Sequence, residues 1–560
     1  MRIAVAQINT SVGDFANNKS KIFAGISFAA MEKADMLVFP ECTTTGYPQK
    51  DLLYNSAFID ENIKLVREVC QYSISHRNLT IIIGFVDKNN LTQELFNSAA
   101  VIENGSIIGT YRKHLLPNYT VFDERRYFTP GTEYPVFIKN GLKYAVTICE
   151  DAWDDTYKVK PFSTFKKQNA DLGLFINLSA SPFSVGKEKC RQTVLTRRSK
   201  DTGGIPILYV NQVGAQDSLI FDGNSSICLD NACVRICKSF KEDFVAIDFN
   251  NYFTATVKAP EKCNDFPYVE EHDIFYALSL GIKDYFLKTG FKKAVIGLSG
   301  GIDSAVVCAI AVNALGPDNV TGILMPSPYS SAHSVTDALK LAKNLGIKTH
   351  TVKIGQALAA YNSTFKTITK KYKSDITEQN FQARIRGNIL MGFSNENTDT
   401  MVLSTGNKSE MSVGYCTLYG DMAGGLSIIP DVYKTQVFRL AKFINMWGLD
   451  RCLNSAHNRN KEVIPENTIK KPPSAELKPG QQDTDSLPPY DVLDAILIRY
   501  IEDKESYEEI VRDIPDEKLV KRVIRMVNIN EFKRQQAAPG LIITERDLTV
   551  GRRMPIANRF

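Results

Sequence analysis

Short apolar runs return along the first half of the chain: RIAVAQI, ADMLVFP, LTIIIGFV, SAAVIENGSIIGTYR, KYAVTIC, LGLFINLS and IPILYVNQVG. Several end in Gly, Asn, Ser or a charged residue, and helix-length segments lie between most of them. The runs joined at Asn104-Gly105 read as a hairpin, while the others are spaced for α/β layering. The first half is therefore expected to form a mixed α/β layered domain, residues 1–250, closing near Asp243 to Phe249.

From about Asn250 to Glu271 the periodicity is lost, with Pro260, Pro267 and several charges, so residues 251–270 read as a linker. A helix is expected to open at about Asp273. Beyond it the order is strand KKAVIGL, helix Asp303 to Leu315, strand NVTGILMP, helix HSVTDALKLAKNLG, strand KTHTVKI, a long helix around Gln382 to Asn395, and strand TMVLSTG. This βαβα order predicts a second domain, residues 271–560, with a parallel sheet covered on both faces and ligands at the carboxyl ends of its strands. Lys461 to Asp491 is rich in Pro and polar residues. Composition makes it a disordered linker, and a loop that closes over a ligand is the competing reading.

Composition narrows the class. With 44% hydrophobic and 23% charged residues over 560 positions, the chain can bury two sizeable cores. Its net charge of +5 comes from 67 basic and 62 acidic residues without a concentrated basic stripe, so nucleic acid is not an expected partner and small anions are. Eleven cysteines without regular spacing do not read as a disulfide framework, which points to a reducing compartment. Cys228, Cys233 and Cys237 read as strand cysteines rather than a zinc site. The opening MRIAVAQINTSVGDF is a strand pattern, no run reaches the length of a membrane span, and a cytoplasmic protein with no membrane partner is expected.

Chemistry enters at IGLSGGIDSAVV, Ile296 to Val307. Gly297, Gly300 and Gly301 let backbone amides approach an anion, and a helix N-terminus adds its positive end. The loop is no Walker A sequence, since Ile302 rather than lysine follows Gly301. It does resemble the SGGxDS signature of the ATP pyrophosphatases, which cleave ATP between the α and β phosphates. Asp303 stands where that family has its acidic residue, a plausible Mg2+ ligand.

QNFQARIRGNILM, VLSTGNKSEMSVGYCTLYGDMAGGLSIIPDVYKT, PPSAEL and NEFKRQQAAPG extend the likeness from about Asp273 to the C-terminus, where the chain resembles the NAD synthetase family. The resemblance implies a doubly wound parallel sheet. It makes Gly297, Leu298, Ser299, Gly300, Gly301, Ile302, Asp303 and Ser304 the ATP loop, with Thr405, Lys434 and Ser474 as further ATP contacts. Glu410 becomes a partner for magnesium or the dinucleotide, and Asn380 and Lys533 contact deamido-NAD. A bland alternative for Thr405 and Glu410 is capping at a strand-to-helix turn. The implied chemistry attaches AMP to the nicotinate carboxylate, releases pyrophosphate, and lets ammonia displace AMP.

VFPECTTTGYP with Glu41, YRKHLLPNYTVFDERRYFTPG with Lys113 and TICEDAW with Cys149 resemble the Glu-Lys-Cys triad of the nitrilase (carbon-nitrogen hydrolase) superfamily, over about Met1 to Asn250. This implies an α-β-β-α layered domain that draws ammonia from glutamine. Glu41 takes the thiol proton, Cys149 attacks the side-chain amide, and Lys113 with the Glu150 backbone amide holds the oxyanion. Glu150 is wanted chiefly for that amide, although carboxylates beside Cys149 should raise its pKa. Taken singly, Cys149 reads as a buried inert thiol, Glu41 as a turn cap and Lys113 as a surface charge.

By the same resemblance Tyr119, Ser181 and Lys187 anchor the α-groups of glutamine. Glu124 either positions the substrate amide or pairs with Arg125 or Arg126. One departure is GYPQKDLL, which lacks the family's usual second proline and acidic residue. The reading that follows is ATP-dependent amidation of deamido-NAD fed by glutamine, with ammonia passing internally and a homo-oligomer of unassigned size. Two others stay open: a different glutamine-fed ATP pyrophosphatase, and a nucleotide-binding sensor without turnover.

Overall fold

The computed structural model describes residues 1–230, 232–249, 269–369, 375–448 and 462–558. Chain contacts divide into two units, Met1–Tyr268 and Val269–Phe560, described separately below. Most of the expected linker, residues 251–268, lies outside the described residues.

Strand alternation explains the first unit. Along Arg2–Gln7, Ile3 and Val5 join one buried cluster with Met36, Val38, Ile82 and the second sheet's Tyr144, Val146 and Ile176. Ala4 and Ala6 point the other way, into a cluster with Ile22, Ile26, Leu65 and Val69 of helices Phe15–Met31 and Ser56–Ser73. Both faces are buried, which is why these strands read as unbroken apolar runs. The first sheet runs Asp243–Asp248, Arg2–Gln7, Met36–Val38, Thr80–Lys88, Leu95–Glu103, Ser106–Arg112. The second runs Ala232–Arg235, Ser226–Leu229, Ile207–Asn211, Leu174–Ser179, Leu142–Ile148, Val136–Lys139, with helices Pro161–Gln168 and Lys187–Asp201 on its outer face. The layers are α-β-β-α.

The hairpin at Asn104-Gly105 forms, both residues taking positive φ, +48° and +84°. One expectation is corrected. Cys228 and Cys233 are strand residues, but they face each other across the Ser226–Leu229/Ala232–Arg235 hairpin and form a disulfide. Direct cross-strand neighbours bring β-carbons within disulfide reach, a pairing that cysteine spacing alone does not disclose.

The second unit holds a five-stranded parallel sheet ordered Lys348–Thr351, Val320–Leu324, Lys293–Gly297, Thr400–Ser404, Leu426–Ser427. The chain builds outward from Lys293–Gly297 in one direction, then returns to its other side with Thr400–Ser404. The loops leaving these two strands therefore part, and their carboxyl ends mark the switch point where doubly wound sheets bind ligands. Helix Ile302–Leu315 is buried nearly all round. The helix expected at Asp273 opens at Glu270, and the long helix spans Ile376–Glu396. Helices Gly355–Ile368, Tyr490–Leu497, Tyr507–Asp513 and Glu517–Ile529 were not predicted, and the last three close a separate apolar cluster.

The disorder expected from composition at Lys461 to Asp491 is also corrected; Lys461 itself lies outside the described residues. Residues 462–491 contain helix Glu466–Lys470 and are tied down by polar side chains. Asn467 donates to Asp337 at 2.6 Å, Lys471 to Ser334 at 3.0 Å, and Gln382 to the Leu477 carbonyl at 2.9 Å. Among the described residues no helix is long and apolar enough to cross a membrane.

Candidate active sites

In the first unit three strand ends bring Glu41, Lys113 and Cys149 together. Glu41 lies just beyond Met36–Val38, on a turn that crosses strand Thr80–Lys88 at Gly84. A β-carbon there would lie 2.4 Å from the Cys42 nitrogen, so only glycine lets the turn pass. Lys113 follows Ser106–Arg112 and Cys149 follows Leu142–Ile148. Lys113 is fully buried, and its Nζ donates to Glu41 Oε1 at 2.7 Å and to Glu124 Oε1 at 2.8 Å. Asn97 Nδ2 donates to the same Glu41 oxygen at 2.7 Å, and the Ala180 amide reaches Glu41 Oε2 at 2.8 Å.

Burial alone would discharge Lys113, but the carboxylates of Glu124 and Glu41 outweigh it and hold its pKa well above the usual lysine range. Burial likewise lifts Glu124 to about 7, opposed by Lys113 and reinforced by Glu41. Cys149 is raised well above a free thiol, first by burial and then by Glu41, with Lys113 opposing. Glu150 contributes less than either burial or Glu41, so the adjacent acid is not the main cause.

One of the two roles left open for Glu124 falls away, and Glu150 departs from expectation. Glu124 does not pair with Arg125 or Arg126: it accepts from Lys113 and from Tyr47 Oη at 2.9 Å, while Arg125 Nε donates to the Leu116 carbonyl at 3.2 Å and Arg126 approaches exposed Asp51. Glu150 offers more than its amide. Its buried carboxylate accepts from Tyr119 Oη at 2.9 Å and Tyr157 Oη at 2.9 Å. Ser181 is buried with its amide on Asn211 Oδ1 at 2.9 Å, and Lys187 lays its ammonium 4.5 Å from the centre of the Trp153 ring. Asn97 and Tyr47 escaped the sequence reading because the quoted family strings assign neither residue a role.

In the second unit the SGGIDS loop turns at the switch point. Gly300 has φ +77°, and a β-carbon on it would lie 2.2 Å from the Ser334 carbonyl oxygen. Ser299 Oγ accepts from the Gly301 amide at 3.1 Å, and Ser304 Oγ donates to the Gly301 carbonyl at 3.0 Å, so the hydroxyls shape the loop ahead of helix Ile302–Leu315. Asp303, on the first turn of that helix, accepts from Lys434 Nζ at 2.6 Å. Glu410 accepts from the same nitrogen at 2.8 Å. Glu410 is lifted to about 7 by burial, with Lys434 opposing and Asp303 adding to the rise. Lys434 is buried, yet Asp303 and Glu410 keep it firmly charged.

Asn407 was missed. Its Oδ1 caps helix Lys408–Val413 by accepting from the Glu410 amide at 3.0 Å, while its Nδ2 donates to Asp303 Oδ1 at 2.9 Å. Capping and site-building thus coexist on the turn that carries Thr405. Tyr490 Oη stands 3.2 Å from Glu410 Oε1 and donates to Asp483 at 2.8 Å. Ser474 Oγ donates to the Gln481 carbonyl at 2.5 Å and closes its own turn. From that turn Glu476 reaches Ser331 and Ser334, each at 2.7 Å, beside Gly300. Asn380 and Lys533 converge on one segment: Asn380 Oδ1 accepts from Thr417 at 2.9 Å, and Lys533 Nζ donates to the Gly414 and Cys416 carbonyls at 2.7 and 2.9 Å.

Among the described residues no group of three or more His, Cys, Asp or Glu is placed to hold a metal. The pair Asp303 and Glu410 closes around one cation, the Lys434 ammonium. One or two carboxylates completed by phosphate oxygens is the protein contribution magnesium usually takes, and the donor set fits it.

The chain matches the carbon-nitrogen hydrolase family over residues 2–231 and the NAD synthase family over residues 274–537. It is 44% identical to a glutamine-dependent NAD(+) synthetase of Synechocystis sp. and 43% identical to one of Thermotoga maritima, over 100% of this chain and 99% of each relative. Among solved structures it is similar to the glutamine-dependent NAD+ synthetase from Acinetobacter baumannii in complex with adenosine diphosphate. There the TM-score is 0.75 and the identity 37%, covering 100% of this chain and 98% of that one. A buried Glu-Lys-Cys constellation and an SGGIDS loop in one chain, with whole-length identity of this order, have one reading: the chain belongs to the family of glutamine-dependent NAD(+) synthetases.

Proposed function

We propose that the two sites divide one reaction between them, ammonia made at Cys149 being consumed at the SGGIDS loop. The chain is a ligase that amidates deamido-NAD to NAD, using ATP and the amide nitrogen of glutamine. The observation that carries the residue assignment is a fully buried lysine held between Glu41 and Glu124, at the strand ends where Cys149 also lies.

Cys149 rests as a thiol because burial and Glu41 disfavour the thiolate, so its proton must leave as attack proceeds. Glu41 takes that proton and Cys149 Sγ bonds to the amide carbon. Lys113 and the Glu150 backbone amide stabilise the tetrahedral oxyanion, and ammonia departs with the proton returned by Glu41. Water, deprotonated by Glu41, then attacks the thioester carbon; the carbon–sulfur bond breaks, glutamate leaves, and the Cys149 thiolate takes the proton back from Glu41. Glu124 orients Lys113 and the substrate amide, and Tyr119, Ser181 and Lys187 hold the α-groups of glutamine.

At the second site residues Gly297 to Ser304 present backbone amides and the helix N-terminus to the phosphates, with Thr405 and Ser474 on the adjoining turns. Asp303 and Glu410 would hold Mg2+, which would supply charge neutralisation on the phosphates. Lys434, whose ammonium lies between these two carboxylates, is a further ATP contact. Asn380 and Lys533 shape the segment that receives deamido-NAD, whose carboxylate oxygen attacks the α-phosphate; ammonia then displaces AMP. A cytoplasmic homo-oligomer belongs to the same reading.

Cys149→Ala is expected to abolish synthesis from glutamine and leave synthesis from added ammonium. Loss of both together would sink the division of labour. Following pyrophosphate release with deamido-NAD against xanthosine monophosphate checks the acceptor: turnover with the second and not the first would place the enzyme elsewhere among ATP pyrophosphatases.

A further inference from the structure

Lys113 and Cys149 come from different sheets, and a single carboxylate ties their two chain segments together. Asp151 is fully buried, two residues beyond Cys149. Its Oδ2 accepts from the Ile148 amide at 2.9 Å, immediately before Cys149, and from Tyr111 Oη at 2.8 Å. Its Oδ1 accepts from the amides of Leu115 at 3.0 Å and His114 at 3.2 Å, the two residues immediately after Lys113. Tyr111 sits two residues before Lys113, on the strand Ser106–Arg112 that Lys113 follows, and is itself buried. Three of the four donors therefore bracket Lys113, and the fourth adjoins Cys149.

Cys149 also takes φ +41°, in the left-handed region where a side chain other than glycine is strained. The turn is held there by the Asp151–Ile148 bond that spans it. We infer that Asp151 is a positioning residue for glutamine hydrolysis, fixing the lysine strand end and the cysteine turn in one register. An acceptor-only carboxylate suits the task, because all four partners donate. An asparagine would turn an NH2 toward two of them, whichever oxygen it replaced, setting buried donors against donors. The inference rests on the role proposed above for Cys149 and Lys113.

The test is Asp151→Asn in the full chain, with steady-state synthesis from glutamine and from ammonium measured side by side. Misplacement of reacting groups costs on the order of 10- to 100-fold. The expected result is a fall of that order in glutamine-fed kcat, a glutamine KM within about twofold of wild type, an unchanged ammonium-fed rate, and slower covalent labelling of Cys149 by a glutamine analogue. A raised KM with normal kcat would make Asp151 a substrate contact and overturn the inference, as would a parallel fall in both activities. Tyr111→Phe keeps the carboxylate and removes one donor. It should lower glutamine-fed kcat several-fold with normal ammonium-fed synthesis, and if Asp151→Asn does not fold, an unaltered kcat in Tyr111→Phe decides against the idea. Cys149→Ala run alongside separates the two levels: glutamine-fed synthesis surviving there sinks the functional reading, whereas a normal Asp151→Asn beside a dead Cys149→Ala sinks only this inference.

Discussion

Lys113 is a cation deprived of water, and two carboxylates rather than solvent keep it charged. Removing one partner from such a group leaves the other buried and uncompensated. Glu124 bears the consequence, held by burial at about 7 against an ordinary 4.5. Between those values the folded chain keeps a proton that the unfolded chain has released. The stability Glu124 contributes is thus present below about pH 4.5 and lost as pH rises through about 7. Glu124→Gln should flatten the fall in stability over that window. The readout is the urea midpoint between pH 5 and 8, followed by Trp153 fluorescence in a Trp447→Phe background that leaves one tryptophan, in the first unit. An unchanged slope would mean that another group carries the effect. Glu41, Lys113 and Cys149 were legible through the family resemblance of the strings that hold them, since taken singly they read as a turn cap, a surface charge and an inert thiol. Asn97 and Asp151 were not read as parts of the site, since a hydrogen bond to a catalytic group, as from Asn97 to Glu41, or to the backbone beside one, as at Asp151, leaves no mark on local hydrophobic spacing.

At the scale of elements, polar anchors hold what apolar periodicity does not reveal. Lys408, on helix Lys408–Val413, is fully buried and bonds Glu502, Asp431 at 2.7 Å, Thr544 at 2.8 Å and the Arg546 carbonyl at 3.1 Å. Asp431 in turn accepts from the amides of Ile543 and Thr544 at 2.8 and 2.7 Å, so one ammonium docks the C-terminal segment beside Glu410. Lys408→Met should leave Asp431 and Glu502 without their cation and destabilise the second unit by about 3–5 kcal/mol, measured by denaturant unfolding. A loss below about 1 kcal/mol would show that water enters and solvates the pair. The same logic explains where sequence reading failed. Strands buried on both faces announced themselves, but Gly355–Ile368 interrupts its apolar positions with Gln, Tyr, Asn, Ser and Thr and buries only Leu358 fully. Residues 462–491 looked disordered because composition weighs apolar burial, whereas Asn467, Lys471 and Glu476 order them through hydrogen bonds. Leu426–Ser427 is too short a strand to leave a period.

For the whole molecule, each unit has its own apolar cores and its own lysine-centred ion cluster, the buried Glu41–Lys113–Glu124 in one and the partly exposed Asp303–Lys434–Glu410 in the other. Because each unit carries its own site, one substitution in each makes a matched comparison. Asp303→Asn keeps the shape of the side chain and the contact with Asn407, yet removes the charge that faces Lys434 and would face magnesium. Losing one preorganised electrostatic group costs about 100- to 1,000-fold. The variant should therefore lose synthesis from glutamine and from ammonium to the same extent, unlike Cys149→Ala, which loses only the first. Covalent labelling of Cys149 by a glutamine analogue should continue in Asp303→Asn, since the first unit folds around its own core. Measured together, the two rates and the labelling place each defect in its unit. Ammonium-fed synthesis at the wild-type rate in Asp303→Asn would remove Asp303 from the ATP site, because no nitrogen source bypasses the step at the α-phosphate.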